Sequence, residues 1–312
     1  MRRDRIVTLT LNPTVDIASD ADRVRPVHKV RTKNETFDPG GGGVNVSRVL
    51  RELGADTLAV VTAGGVSGRL LEELLDGGGV PRASVPTAGR TRISYTVHDL
   101  GAGQEYRFVP QGPTLSEPEW RAALAALDAS DGGWIVASGS LPRGVPDDLY
   151  ARAAADAKRR GRRFVLDTSG APLRAALGQG LALIKPSWGE FEALVGEVAP
   201  VPEAQDAAAL RLAREGAAEL VAVTLGRDGA ILAEPGRGVL RLPALEVPAV
   251  GAVGAGDSFL AAMVCALSRG EAPREAFAWG MAAGAAAVMR PGTAHPRKED
   301  VEALRRRIGP VG

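Results

Sequence analysis

The sequence is poor in the residues that build disulfide frameworks and metal clusters. Cys265 is its single cysteine, and there are three histidines among 312 residues. One cysteine excludes an internal disulfide, and His28, His98 and His295 lack the spacing of a Cys/His metal site. We therefore expect no metal cluster built from these ligands.

The sequence also lacks an excess of one charge and any long apolar run. It has 38 basic and 37 acidic residues, for a formal net charge of +1. Proteins that bind nucleic-acid duplexes carry a basic excess, so nucleic acid is not expected as a main partner. No window could span a bilayer, and residues 1–5 do not begin a signal peptide. These absences predict a cytoplasmic protein with no membrane partner.

Glycine and short apolar runs, by contrast, are abundant. The chain has 39 glycines and 45% hydrophobic residues, enough to build a large core. Runs rich in Val, Ile and Leu alternate with alanine-rich amphipathic segments. Strands are predicted at 5–11, 57–62, 134–137, 164–167, 181–185 and 220–225, and helices at 40–53, 67–76, 257–268 and 274–289. The alternation predicts an α/β fold, a mostly parallel doubly wound sheet flanked by helices, with ligands at the carboxyl ends of its strands.

Two regions depart from this alternation. The first, from Thr14 to Asp38, is polar and irregular, and no long helix fits it. The second has two runs of period two, at 92–98 and 104–109, which predict a hairpin. We expect segments of about 14–38 and 91–110 to form a small β-sheet lid over the ligand site.

The segment Gly254-Ala255-Gly256-Asp257 stands directly before an apolar helix. Its glycines allow a tight turn, and the helix N-terminus offers free N–H groups and a positive dipole end that suit a phosphoryl group. A carboxylate in that first turn is placed to take a proton from a hydroxyl beside the phosphate. The alternative is that Asp257 only caps the helix.

Two common nucleotide-binding motifs are absent. There is no G-x-x-x-x-G-K-[ST] sequence, which excludes a Walker-type enzyme. Phe259 follows the glycine pair where the dinucleotide fingerprint needs a third small residue, which disfavours NAD.

Two further segments have features of ligand sites. Four glycines, Gly40–Gly43, precede a helix and would let a ligand approach the backbone closely, while Asn45 adds a donor and an acceptor. A flexible linker is the alternative. Lys185 and Glu190 flank a strand end that leads into a helix, where Glu190 could also be an ordinary first-turn acid.

Together these segments resemble the PfkB family of the ribokinase superfamily over almost the whole chain. The matching pieces occur in family order: 12–16, 40–45, 138–142, 185–186, 224–226 with 228–230, and 254–257. Several separate motifs in one order are far more specific than any one alone. The resemblance implies a single ribokinase-like kinase domain over residues 1–312, with ATP and Mg²⁺ as cofactors and a homodimer joined through the lid sheets.

The resemblance also implies a role for each matching residue. Asp257 would be the catalytic base, and Gly254, Ala255 and Gly256 would complete the anion hole for the transferring phosphoryl group. The sugar would be held by Asp16, Gly41, Gly42, Asn45 and Ser140, and its phosphate by Lys29, Arg92 and Arg107. The nucleotide would be held by Lys185, Ser187, Thr224, Gly226 and Gly229. Glu190 would organise Mg²⁺ through water.

Three cations on the lid segments, Lys29, Arg92 and Arg107, favour a phosphorylated hexose as substrate, since arginine suits phosphate contact. Solvated surface charges are the alternative. Within the family, the four-glycine run and residues 104–109 match the 6-phosphofructokinases, which make fructose 1,6-bisphosphate and ADP from fructose 6-phosphate and ATP. The 1-phosphofructokinases and tagatose-6-phosphate kinases share the other motifs and stay open as alternatives.

Two positions depart from the family pattern. Ser187 stands where the family has Asn, which weakens the expected Mg²⁺ site, and Ala252 removes a hydroxyl expected near the phosphates. They motivate a hypothesis of another class, a non-catalytic sugar-phosphate-binding regulator on the same fold. The retention of Asp257 argues against it, because a regulator needs no base.

Overall fold

The chain forms two β-sheets, and helices cover the larger one. The computed structural model describes residues 2–196, 201–251, 253–290, 292 and 294–312. Within them the larger sheet contains β1 (Arg2–Thr10), β4 (Thr57–Ala63), β5 (Arg82–Pro86), β8 (Gly132–Ser138), β9 (Arg163–Asp167), β10 (Leu181–Ile184), β11 (Leu220–Thr224), β12 (Ala230–Glu234) and β13 (Gly238–Leu242). The smaller sheet contains β2 (Thr14–Ala21), β3 (Thr32–Gly40), β6 (Arg92–Asp99) and β7 (Gln104–Phe108).

The larger sheet has the strand order β13-β12-β11-β10-β9-β8-β1-β4-β5. In this order, every strand from β11 across to β5 pairs in parallel with its neighbours. The carboxyl ends of these strands therefore lie along one edge of the sheet. Every residue of β8 and β10 is buried, as expected for strands covered on both faces. The carboxyl edge is therefore the place where polar side chains can leave the core.

The helices occupy the connections between strands. They are α1 (Gly42–Glu52), α2 (Gly65–Gly77), α3 (Glu117–Ala129), α4 (Leu149–Arg159), α5 (Gly170–Ala176), α6 (Trp188–Val195), α7 (Pro202–Arg214), α8 (Ala255–Ser268), α9 (Pro273–Val288) and α10 (Lys298–Ile308). Helix α8 is buried from Ser258 to Ala266 and packs closely on α9. A Cβ on Gly280 of α9 would lie 3.1 Å from the carbonyl oxygen of Phe259, so a larger residue would push the two helices apart. None of the described helices is long and apolar enough to cross a membrane.

The smaller sheet has the order β3-β2-β6-β7, with β2 and β6 parallel in its centre. Its strands come from the two regions that depart from the strand–helix alternation. One row of paired residues, Phe37-Ile17-Tyr95-Phe108, crosses all four strands and marks what we call the apolar face. Asp16 and Ser94 are paired on the opposite side, the polar face.

The predicted α/β fold with a second small sheet is confirmed, but a third region departs from the alternation besides the two lid segments. Strands β12 and β13 run antiparallel at the end of the large sheet, which the sequence reading missed. Only a short 3₁₀ turn, Gly226–Asp228, separates β11 from β12, and it is too short for the crossover that a parallel strand requires. Ala252, one of the two departures from the family pattern, lies outside the described residues.

Candidate active site

A cavity of about 340 Å³ lies between the carboxyl edge of the larger sheet and the polar face of the smaller one. Strands β8 and β9 end in Ser138 and Asp167, and helices α1 and α8 supply Asn45 and Asp257. The other lining residues are Thr14, Asp16, Gly41, Gly42, Arg92, Ser94, Arg107, Val109, Gly139, Ser140, Thr168, Ser169, Glu190, Val253 and Gly254. Residues predicted as separate motifs thus share one cavity.

Asp257 lies in the first turn of α8, partly buried in the cavity wall. Gly254 caps this helix with φ +75°, a left-handed conformation that favours glycine. The side-chain amide of Asn45 donates to Asp257 Oδ2 over 2.8 Å. Burial first, and then the charge of Asp167, raise the pKa of Asp257 to about 6, although Asn45 and Lys185 act in the opposite direction. Such a carboxylate is charged at neutral pH and is a stronger base than an exposed aspartate.

A buried ion pair lies next to this carboxylate. Lys185 Nζ is 3.3 Å from Asp167 Oδ1, and the two side chains are 6% and 14% exposed. Burial opposes the charge of Lys185, but Asp167 and Asp257 raise its pKa overall. Burial also opposes the charge of Asp167, and for this acid it raises the pKa. The pair holds a cation and an anion beside the site, both largely shielded from solvent.

The first turn of α8 and this lysine are brought together by a glycine. A Cβ on Gly256 would lie 3.3 Å from Lys185 Nζ, a tight contact that would push the ammonium aside by a few tenths of an ångström. The N-terminus of a 14-residue helix carries free N–H groups and a positive partial charge. The N-terminus of α8 and the ammonium of Lys185 therefore both favour an anionic group beside Gly256.

The glycine run at the start of α1 makes room for its neighbours. Gly41 has φ +109°, and a Cβ on Gly42 would collide with Ser138 Oγ at the cavity wall. A Cβ on Gly43 would lie 2.9 Å from the carbonyl oxygen of Leu9, in β1. The run is therefore a close-packed turn with fixed contacts, and the flexible-linker alternative does not hold.

Three buried side-chain oxygens around the cavity have no hydrogen-bond partner among the described residues. They are Asp16 Oδ1, Asn12 Oδ1 and Asn45 Oδ1. Leaving a buried acceptor unpaired costs about 1–3 kcal/mol. Burial also raises the pKa of Asp16, against the opposing charge of Arg107. These acceptors suit a ligand that brings several hydroxyl groups.

The lid cations differ in how they are held. Arg92 donates to the carbonyl oxygens of Pro110 over 3.0 Å and Asn12 over 2.8 Å, so it also anchors the chain that follows β7. Arg107 lines the same cavity, is exposed, and forms no hydrogen bond or salt bridge with another described residue. Lys29 is exposed in the connection between β2 and β3 and does not line the cavity. The structure thus brings two of the three predicted cations together.

Ser187 and Glu190 form a capping box at the start of α6. Both the backbone N–H and the hydroxyl of Ser187 donate to Glu190 Oε2, each over 2.8 Å. Glu190 also lines the cavity, as do Asp167 and Asp257. The ordinary first-turn role of Glu190 is therefore present, and it leaves one carboxylate oxygen, Oε1, uninvolved in the cap.

The predicted nucleotide residues Thr224, Gly226 and Gly229 lie beyond this cavity, around the turn between β11 and β12. Thr224 pairs with Ser187 through an isolated parallel bridge, which places the turn beside α6. A Cβ on Gly229 would collide with the carbonyl oxygen of Leu242, so this glycine is required by strand packing whatever it binds. Nucleotide binding here stays a prediction.

Nine lining residues are not among the predicted site residues: Thr14, Ser94, Val109, Ser138, Gly139, Asp167, Thr168, Ser169 and Val253. Asp167 and Ser138 are the last residues of their strands, and the rule that ligands gather at carboxyl ends would have selected both. Ser94 lies inside the predicted hairpin, where no local signal separates it from other polar residues.

The chemistry of the cavity is that of group transfer to a hydroxyl. A carboxylate of raised pKa stands at the N-terminus of a helix, buried acceptors without a described partner lie around the cavity, and the guanidinium groups of Arg92 and Arg107 line it from the lid. Fold and site together define a phosphotransferase of the α/β class.

Known proteins agree with this class. The model of the pfkB family carbohydrate kinases matches residues 9–300. The chain is 43% identical over 303 residues to ATP-dependent 6-phosphofructokinase isozyme 2 of Mycobacterium tuberculosis, covering 96% of this chain and 88% of that protein. It is 32% identical over 282 residues to 1-phosphofructokinase of Bacillus subtilis, covering 90% and 91%. The crystal structure of phosphofructokinase-2 from Escherichia coli with fructose-6-phosphate superposes with a TM-score of 0.92 at 34% identity, covering 98% and 99%. This chain belongs to the pfkB family of carbohydrate kinases.

Proposed function

We propose that this chain is an ATP-dependent 6-phosphofructokinase, which converts fructose 6-phosphate and ATP to fructose 1,6-bisphosphate and ADP. The observation that carries the proposal is a cavity with Asp257, held by Asn45, at one wall and Arg107 on the lid. Arg107 forms no hydrogen bond or salt bridge within the described part of the chain. Such a cavity suits a sugar that presents a hydroxyl to the base and an existing phosphate to the lid. The relatives named 6-phosphofructokinase support the choice of sugar.

Asp257 accepts the proton of the primary hydroxyl as the hydroxyl oxygen forms its bond to the terminal phosphorus of ATP. The bond between that phosphorus and the bridging oxygen breaks, and the electron pair leaves with ADP. The backbone N–H groups of Ala255, Gly256 and Asp257 donate to the phosphoryl oxygens. Lys185, beside Gly256, adds positive charge where negative charge grows.

The sugar is held by the acceptors that the protein leaves unpaired. Asp16 Oδ1 and Asn45 Oδ1 accept from its hydroxyl groups, and the hydroxyl of Ser140 lines the same wall. Gly41 and Gly42 let the ring approach the backbone of the turn. Arg107 and the remaining N–H groups of Arg92 meet the phosphate.

Mg²⁺ fits the donors that the cavity offers. Asp167 and Glu190 both line it, and carboxylate oxygens are the ligands that Mg²⁺ prefers. No cluster of three or more metal-binding side chains occurs within the described residues, so most of the coordination would come from water and phosphate, which Mg²⁺ tolerates. Its contribution when bound is to neutralise phosphate charge. Because ATP is an intracellular substrate, we also propose that the enzyme works in the cytoplasm.

The experiment is an ADP-release assay on the purified chain with fructose 6-phosphate, fructose 1-phosphate and tagatose 6-phosphate, each with ATP and Mg²⁺. We expect the highest kcat/KM with fructose 6-phosphate. A clear preference for fructose 1-phosphate or tagatose 6-phosphate would replace the proposed substrate and keep the kinase. Binding of these sugars without turnover by any of them would show the non-catalytic regulator instead.

We further propose a homodimer formed through the apolar faces of two small sheets. Phe37 and Phe108 are 47% and 61% exposed at the two ends of one row, and Ile93 is 42% exposed nearby. Apolar side chains concentrated on one sheet face are typical of an interface. Sedimentation velocity should give a dimer that Phe108→Asp dissociates, while Val66→Asp, at an exposed residue of α2, leaves it intact. A monomeric wild-type chain would refute the dimer.

A further inference from the structure

A row of three charged or titratable residues crosses the polar face of the small sheet, near Arg107, which is proposed to bind the substrate phosphate. His98 of β6 pairs in register with Asp20 of β2 on one side and with Glu105 of β7 on the other. His98 Nδ1 is 3.2 Å from Asp20 Oδ1, and His98 Nε2 is 3.2 Å from Glu105 Oε2. One imidazole therefore bridges carboxylates of two different strands.

Each ring nitrogen of His98 faces a carboxylate. A neutral imidazole donates from one nitrogen and accepts at the other, so it satisfies only one of the two carboxylates, whereas an imidazolium donates to both. Asp20 also accepts from the amide of Asn34 over 2.8 Å, so Asp20 has another donor if the ring is lost. Glu105 has no hydrogen-bond partner besides His98 among the described residues.

Arg107 lies on the same face, one row closer to the cavity. It is two residues from Glu105 along β7, and Arg107 pairs with Thr96 just as Glu105 pairs with His98. Side chains two residues apart on a strand point to the same face about 7 Å apart, within reach of an arginine and a glutamate. In the structure they do not pair, because the carboxylate of Glu105 is directed to His98.

We propose that His98 is a positioning residue that holds the carboxylate of Glu105 and so keeps Arg107 available for the phosphate of the sugar. Without the ring, Glu105 pairs with Arg107 and adds a negative charge beside the incoming phosphate. Both effects weaken sugar binding, and neither reaches the base or the nucleotide. The inference rests on the proposed function for the identity of the sugar phosphate.

The test is a rescue experiment with steady-state kinetics on the full chain. We expect His98→Ala to raise the KM for fructose 6-phosphate about two- to fivefold, the size of an exposed ion pair. We expect kcat and the KM for ATP to change less than twofold. Adding Glu105→Gln to His98→Ala should restore the KM, because the competing charge is gone. The single variant Glu105→Gln should bind the sugar as well as wild type or better.

A matched control separates positioning from mere support of the sheet. Asp22, an exposed carboxylate of the same lid paired with Lys33, lies outside the row, and Asp22→Asn should not restore the KM of His98→Ala. An unchanged KM in His98→Ala overturns the proposal. A raised KM that Glu105→Gln fails to restore overturns it too, since His98 would then only brace the strands. Failure of the proposed function is distinct, because wild type itself would not turn over fructose 6-phosphate.

Discussion

The two sheets contribute to the site in opposite ways. At the carboxyl edge of the large sheet, the functional groups are packed and paired: Asn45 donates to Asp257, and Lys185 is held against Asp167. On the small sheet, Arg107 is exposed and forms no hydrogen bond or salt bridge with the residues that the structure describes. Chemistry needs fixed geometry, which a buried edge provides, whereas an exposed sheet can recognise a charged group that arrives from solvent.

The comparison predicts a division between kinetic constants. Changes at the carboxyl edge should lower kcat, because they alter the groups proposed to act on the transferring phosphoryl group. Changes on the polar face of the lid should raise the KM for the sugar and spare kcat. Substitutions of Asp257 and Arg107 test this division, and two further experiments test the electrostatic environment of Asp257.

Asp257→Asn should lower kcat about 10²- to 10⁴-fold, the usual contribution of a general base, with little change in either KM. The measurement is steady-state ADP release, with Asp147→Asn, an exposed aspartate outside the cavity, as the control. A kcat within tenfold of wild type would mean that Asp257 is not the base.

The same substitution should stabilise the fold. Since the folded state raises the pKa of Asp257 from 3.8 to about 6, the ionised carboxylate costs folding free energy above pH 6 and nothing well below pH 4. At about 1.4 kcal/mol per pKa unit, Asp257→Asn gains up to about 3 kcal/mol at pH 8. Urea unfolding should show this gain shrinking as the pH falls from 8 to 4. A gain in unfolding free energy that does not depend on pH would show that the raised pKa of Asp257 is not its cause.

Arg107→Ala should raise the KM for fructose 6-phosphate about ten- to a hundredfold, the strength of hydrogen bonds to a charged group, with kcat and the KM for ATP nearly unchanged. Arg121→Ala, at an exposed arginine of α3 paired with Glu117, is the matched control. A fall in kcat equal to the rise in KM would show that the lid takes part in the chemical step. It would contradict the prediction that lid residues affect the KM for the sugar and spare kcat.

The smallest effect concerns pH. Protonation of Asp257 should produce an acid limb near pH 6 in kcat/KM for fructose 6-phosphate. Asn45 lowers the pKa of Asp257, so Asn45→Ala should move that limb to higher pH. The phosphate of the substrate also titrates near pH 6, but equally for both enzymes, so the difference belongs to the protein. Asn34→Ala on the lid should leave the limb in place.

Much of the fold follows from local patterns. Apolar runs between alanine-rich amphipathic segments predicted the strands from β8 to β11 and the helices α1, α2, α8 and α9 within a few residues. The hairpin β12–β13 was missed because its runs match those of parallel strands, and only the short turn before it reverses the chain.

The candidate site was predictable where a motif carries its own geometry. The turn at Gly254 and the run at Gly40–Gly43 are readable because glycine there is required by backbone conformation or contact. The partnership of Lys185 with Asp167 was not readable, because it depends on β9 and β10 being neighbours in the sheet. Sequence separation does not show which strands pair.

By itself the sequence determined the class of the protein and the position of its candidate base. Both depend on short-range requirements, a helix that starts at a glycine turn and a carboxylate in its first turn. Only the tertiary structure decided the environment of that base, since burial and the charge of Asp167 raise its pKa, and Asn45 reaches it from another helix. It also decided that His98 bridges Asp20 and Glu105. Electrostatics acts through space, and distances in space are set by packing between segments far apart in the chain.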